Sequence, residues 1–291
     1  MDMTDWLDLT RRAGFASHRL IGWIFWDPTA QRNLEALGVP GGMGHYIANR
    51  AAPLAAAGTE AVYAAFFTIK REFVEFGINH TAPHATWQQV TDARDAAVLE
   101  GLERMTPQVI DPLGTMADEL WRAADSAPAG DRVLFAAHRS WPRPSHPAVS
   151  AWNAVNTIRE WRGDTHFALL VTEGIGIAEA GLLHDAWMGY PDKWLPRSRG
   201  ADDAEIERGL AALAARGFVD GDTVNEEGVR YRQWLEDRTN EMCVPVWQGM
   251  GEDTVRRFLA IVEPVGDTYL AHIDATAGDL WMPAARARRR T

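Results

Sequence analysis

Eight consecutive residues, Arg159-Glu160-Trp161-Arg162-Gly163-Asp164-Thr165-His166, bring together two guanidinium groups, two carboxylates and an imidazole between stretches of large apolar side chains. At helical spacing Arg159, Arg162 and His166 share one face, and Glu160 and Asp164 share another. Charged groups on a mostly buried helix must pair with one another or bind something. Two chemistries follow. An arginine fork can hold a carboxylate, and a carboxylate beside an imidazole can fix its tautomer and raise its basicity. In the first, Arg159, Arg162 and Trp161 anchor a ligand. In the second, His166 or His184 is a general base oriented by Asp164, with an arginine holding the oxyanion. The plainer alternative is an ion-pair network that pins a long helix to the rest of the chain. Gly163 inside this helix suits the close approach of another backbone or of a ligand.

Thirteen tryptophans against five tyrosines are the second signal. Indoles bury a large rigid area and need a partner for their N–H, so clusters of them often wall pockets for flat or cationic molecules. Trp23 and Trp26, with Tyr63 and Phe67, form the other aromatic concentration and are candidate pocket walls, although a stripe at helical spacing also suits an ordinary core. Cofactor and metal motifs are missing. There is no GxGxxG and no Walker loop, and the glycine-rich stretch Gly38–Gly44 lacks the lysine ending that phosphate binding needs. His80 and His84 are separated by Pro83, which breaks the helical two-histidine zinc template. No cofactor is expected.

The elements that must position these residues read as mostly helical. A hydrophobic fraction of 46% in 291 residues supports a sizeable core. Helices are expected over 5–13, 29–37, 43–50, 59–68, 70–75, 86–105 and 111–124, with Pro53 stopping one of them. Three prolines between Trp141 and Pro147 exclude a helix interior there. They suggest a boundary between a helical domain, 1–140, and a second domain, 148–291. In the second, a long helix 148–173 and a helix 177–187 precede an amphipathic segment 202–216. Next come two short extended pieces around Asp220-Gly221-Asp222, and then a helix that Asn225 can cap. Helix, helix, helix, hairpin, helix is the order of a winged helix-turn-helix. The fold class is therefore mainly α with a short β wing.

With those pieces in view, the chain resembles, over nearly its whole length, an actinobacterial family of helix-turn-helix proteins. The resemblance rests on Arg50-Ala-Ala-Pro-Leu54, Arg159–His166, Arg197-Ser-Arg-Gly200, Ala215-Arg-Gly-Phe218 and Asn225-Glu-Glu-Gly228. The last two also resemble the recognition-helix end and wing of MarR-type repressors. The same family resemblance covers Phe25-Trp26-Asp27-Pro28 and implies a histidine a few residues earlier, where this chain has Ile21.

DNA reading is disfavoured by charge. Forty acidic against 29 basic residues leave −11 overall, the wrong balance for a phosphate backbone. The segment 202–216 carries Asp202, Asp203, Glu205 and Glu207 against Arg208 and Arg216, and the wing adds Asp220, Asp222, Glu226 and Glu227. Arg286–Arg290 is the one basic cluster. No run reaches the roughly 18 apolar residues of a membrane span, and the single cysteine, Cys243, suits a reducing compartment. The expectation is a cytoplasmic small-molecule-binding protein of regulator ancestry that takes an aromatic or anionic ligand in a tryptophan-lined pocket between domains. The alternatives are an enzyme acting on such a ligand and a DNA-binding regulator. A homodimer is compatible with each.

Overall fold

Helix starts are fixed by side chains that accept the backbone N–H groups left over at an N-terminus. In the computed structural model, which describes residues 4–42 and 44–288, Asp5 caps helix α1 (Trp6–Gly22), which runs into a 3-10 turn over Trp23–Trp26. Asp27 caps α2 (Pro28–Ala36). Helices α3 (Gly44–Ala55), α4 (Thr59–Ala65) and α5 (Arg71–Thr81) follow, and a Thr86–Gln89 capping box opens α6 (Trp87–Met105). Short helices α7 (Ile110–Gly114), α8 (Ala117–Ser126) and α9 (Val133–Ser140) complete the first half.

The second half opens with the 26-residue α10 (Pro147–Thr172) and continues through α11 (Ile177–Met188), α12 (Trp194–Ser198) and α13 (Asp203–Ala215). A two-stranded antiparallel hairpin, β1 (Val219–Asp220) and β2 (Thr223–Val224), pairs Val219 with Val224. Asn225 then caps α14 (Glu226–Met250), followed by α15 (Glu252–Val262) and α16 (Gly266–Ala277). The fold is mainly α with a winged order in its second half, as expected from the sequence. An order of three shorter helices and then a long one occurs twice, as α3–α4–α5–α6 and as α11–α12–α13–α14.

Several boundaries differ from expectation. Helix α1 does not stop at Ala13 but continues nine residues further, so the apolar run 20–26 is its buried last turn and the 3-10 turn after it. Pro53 lies inside the last turn of α3 instead of ending it. The segment expected as one helix over 111–124 is split into α7 and α8, and Gly114 at the break sits where a Cβ would lie 3.2–3.3 Å from Pro147 and the Ala148 nitrogen. Of the basic tail, Arg289 and Arg290 lie outside the described residues.

Helix α10 organises the interior. It is buried on most of its circumference and packs against α1, α7, α8, α9 and α14, with its charged residues paired inside the fold. The largest apolar cluster takes residues from both sides of the 141–147 segment, including Leu20, Trp23, Phe135, Trp152, Phe258 and Tyr269. Trp152 donates its indole N–H to the Leu20 carbonyl at 3.0 Å. Trp23 fills the space over Gly101 so tightly that an added Cβ would come within 2.3 Å of its ring. Gly101→Ala is therefore expected to destabilise the protein by about 1–3 kcal/mol, the usual range for overpacking a core. Denaturant titration against wild type checks this, and an unchanged midpoint would show that the indole can move aside.

Candidate ligand cavity

Helical spacing on α10 lines up Arg159, Arg162, Gly163, His166 and Leu170, and this stripe forms one wall of a cavity of about 540 Å³. Ligand sites are commonly concave spaces of roughly 300–1,000 Å³. The other walls come from α1 (Phe15, His18), α3 (Tyr46, Arg50), α11 (His184, Trp187), Arg199 after α12, and α14 (Arg232, Glu236, Asn240). Met282 to Arg288 close the outer side. The cavity thus lies where both helix triplets meet α10 and α14.

Two carboxylates organise the guanidinium groups. Glu160, fully buried, accepts a bidentate pair of hydrogen bonds from Arg50 at 2.9 and 2.7 Å and a third from Arg159 at 3.0 Å. Burial alone would push its carboxyl up, but Arg159 and Arg50 hold it at about 2. Glu236 takes Arg162 and Arg232 in the same way, the latter at 3.1 Å. Against the pull of burial, Arg162 and Arg232 keep its carboxyl well below the usual carboxylate range. A fifth arginine, Arg199, has no carboxylate in hydrogen-bond reach. It donates to the Thr68 hydroxyl, and its backbone carbonyl accepts from Lys70. Nine arginines and three acids, Glu236, Asp237 and Glu263, therefore line the cavity among the described residues, and five of those arginines gather around Glu160 and Glu236. Of the further acids, Asp237 lies in the field of Arg232 and Glu263 pairs with Arg12, while Asp185 is spent on the Leu195 N–H at the start of α12 and pushed up to about 7 by burial.

The three imidazoles on the wall are neutral. Burial lowers His166 to about 3 and His18 and His184 well below the ordinary value, and the arginines add to the effect. Hydrogen bonds fix two tautomers. Thr239 donates its one hydroxyl proton to the Leu235 carbonyl, so it accepts from His166 Nδ1–H at 2.9 Å, leaving the lone pair on Nε2. Arg232 can only donate, so His184 Nδ1 accepts at 3.2 Å and its proton sits on Nε2, which is buried with no partner. On His18 neither ring nitrogen has a partner. Arg159 Nε is likewise buried and unpartnered. Buried polar atoms without partners are rare in folded proteins, and those of His18, Arg159 and His184 line this cavity from α1, α10 and α11, while others, such as those of His45 and Asn49, lie elsewhere.

Of the residues singled out in the sequence, Arg159, Arg162, His166 and His184 converge on the cavity. The others lie elsewhere. Asp164 accepts the Phe135 N–H at 2.9 Å at the start of α9, and no Asp164–His166 pair forms. Trp161 donates to the Pro128 carbonyl at 2.9 Å beneath the Arg132 guanidinium. Trp23 stacks on Tyr269, Trp26 packs between Tyr46 and Trp281, and Phe67 meets Phe167. Tyr63 lines a separate cleft beside Lys70 and Arg71. The cavity's aromatic wall is Phe15, Tyr46, Phe167 and Trp187, with one indole among its described residues.

His18, Arg232 and Glu236 lie outside the charged stretch 159–166 and the aromatic concentration, and Arg50 and Arg199 belong to the pieces that carry the family resemblance. His18 was detectable as a polar residue on the buried face of α1, in register with Ala13, Gly14, Ser17 and Ile21.

The solvent face of α13 bears on nucleic acid. Asp203, Glu207, Arg208, Ala211, Ala212, Ala214 and Ala215 are exposed, and Lys70 and Arg197 are spent on Asp202, Glu205 and Asp203 near its start. Among the described residues no single helix is long and apolar enough to cross a membrane. Residues 10–276 match the model of a helix-turn-helix family. No curated protein and no solved structure matches the chain.

Proposed function

Because the chain belongs to a helix-turn-helix family over residues 10–276, and so has transcription-regulator ancestry, we propose that it is a small-molecule-binding protein whose cavity holds an organic anion with an aromatic or flat apolar part. One observation carries this reading: nine arginines against three acids line a space of about 540 Å³, and of the five that gather at Glu160 and Glu236 one, Arg199, has no carboxylate partner. Gathering like charge at low dielectric is unfavourable until an anion enters. The unpartnered His184 Nε2–H and Arg159 Nε supply further donors, and Phe15, Tyr46, Phe167 and Trp187 supply flat apolar surface. Binding fits better than proton abstraction, since an imidazole held at about 3 is a weak base near neutral pH.

DNA is not the partner in this reading. The exposed side of α13 offers acids and alanines where base edges and phosphates call for arginine, lysine or asparagine. The lone, buried Cys243 suits the cytoplasm.

Thermal unfolding in the presence of aromatic carboxylates of one to three rings tests the proposal. The midpoint should rise with ligand concentration, as binding to the folded state alone requires. Arg162→Gln, which leaves Glu236 with Arg232, should blunt the rise, while a labelled DNA duplex added instead should leave the midpoint unmoved. A panel that shifts nothing, or a shift from duplex alone, overturns it.

A further inference from the structure

The charges in the cavity form two groups, and their arrangement narrows the ligand class beyond an organic anion. On one side Arg50, Arg159 and Arg199 gather near the Tyr46 hydroxyl, to which Arg50 donates at 3.3 Å. On the other, Arg162 and Arg232 share Glu236, and Arg232 donates to His184 and lies over Trp187, its guanidinium carbon 4.5 Å from the ring. Each group holds one carboxylate, Glu160 or Glu236, which offsets one of its positive charges. Asp237 and Arg288, the latter 6.0 Å from the Trp187 ring, join the second group and offset each other, so the first keeps an excess of two and the second an excess of one. His18 stands in the field of both, influenced by Arg159 and Glu160 from one side and Arg162 and Glu236 from the other, with both ring nitrogens unpartnered. An ion with one compact charge would satisfy one group and leave the other uncompensated.

We infer that the cavity takes an organic dianion with its two anionic groups on separate parts of a flat, largely apolar body, one held by Arg50, Arg159 and Arg199 and the other by Arg162, Arg232 and His184, with His18 against the middle. This rests on the cavity being the ligand site. Carboxylate, sulfonate and phosphate share the required chemistry, since each accepts paired hydrogen bonds from guanidinium groups. Separation of the two charges distinguishes this ligand from a single phosphate group, which carries its charges at one point.

Isothermal titration of the full-length protein at fixed salt, with probes of matched shape, tests the assignment. The probes are naphthalene-2,6-dicarboxylate, naphthalene-2-carboxylate, naphthyl phosphate and inorganic phosphate. The dicarboxylate should bind roughly 10- to 100-fold more tightly than the monocarboxylate, the gain expected of one more charge-assisted contact set in a desolvated site. It should also exceed naphthyl phosphate and inorganic phosphate. Arg199→Gln and Arg232→Gln should each bring the dicarboxylate down towards the monocarboxylate. Both substitutions leave Glu160 and Glu236 each with an arginine, so folding is expected to survive, and the thermal midpoint of each variant is measured alongside. Equal affinity for mono- and dicarboxylate, or tighter binding of naphthyl phosphate, overturns the two-ended assignment while leaving the cavity as an anion site. Binding that neither variant changes places the probe elsewhere and overturns it too. If none of the four probes binds, the assignment falls together with the reading of the cavity as a site for such anions.

Discussion

Glu160→Gln is expected to cost about 3–5 kcal/mol of stability, the usual range when one partner of a buried ion pair is removed. The carboxylate is fully buried, and Arg50 and Arg159 both depend on it. A glutamine amide keeps the shape and offers one acceptor oxygen without charge, so two guanidinium groups would stay in the interior with no counter-ion. Against a typical total of about 5–15 kcal/mol, this is a large fraction, and the thermal midpoint should drop by roughly 10 °C. Arg50 reaches Glu160 from α3, so the pair also joins the first helix triplet to α10. The loss should appear as one cooperative shift in calorimetry. A variant within about 1 kcal/mol of wild type would mean that solvent in the cavity already neutralises the arginines.

Acid should destabilise the ligand-free protein from about pH 6.5 downwards, where the histidines of the unfolded chain take up protons. His18, His45, His138, His166 and His184 are held below the ordinary histidine value by burial, His138 at about 4 and His166 at about 3. A depressed histidine remains neutral in the folded chain while the unfolded chain takes up a proton as pH falls through about 6.5. Stability is then fully present above that value and is lost below it. Asp164 and Asp185 work the other way, because burial pushes both up to about 7. Below pH 7 they are protonated when folded and ionised when unfolded, so they add stability as pH falls towards about 4. Five protons favouring the unfolded chain against two favouring the folded one leave a net of at most about three. The slope is at most about 4 kcal/mol per pH unit between roughly pH 6 and 4.5, and less where cavity solvent reaches the imidazoles. Denaturant midpoints measured across pH 7.5 to 4.5 check the sign and the size. A flat profile would show that the cavity imidazoles are solvated. A bound anion should flatten it as well, since negative charge beside His166 and His184 favours their protonated forms.

The stripe Arg159, Arg162 and His166 was legible because every residue in it sits on one uninterrupted helix, where a spacing of three or four fixes the shared face. The hairpin was legible because Asp220-Gly221-Asp222 lies between two short extended pieces and Gly221 takes a positive φ of 64°. The fold class followed from the same local signals. The partners of the stripe were not legible, because α1, α3, α12 and α14 deliver them across the fold. Gly14 shows why His18 was overlooked. A glycine after Ala13 reads as a helix stop, yet α1 continues through it, and an added Cβ would lie 3.4 Å from Arg162 Nε. The residue that looked like a terminator is a bare patch against which a cavity arginine lies. The tryptophan excess misled in the opposite direction. It was real as composition, but Trp23, Trp26 and Trp161 serve the packed interior, and no local pattern separates a wall indole from a core one.

Trp187 gives the protein a built-in optical reporter. Its ring lies under the Arg232 guanidinium, and its N–H is held by Gln233 at 2.8 Å. Any molecule that draws that guanidinium away changes the local field on one indole while leaving the buried indoles in their surroundings. The difference in emission between the native chain and Trp187→Phe, recorded with and without an added compound, would then report occupancy of this single position without any attached dye.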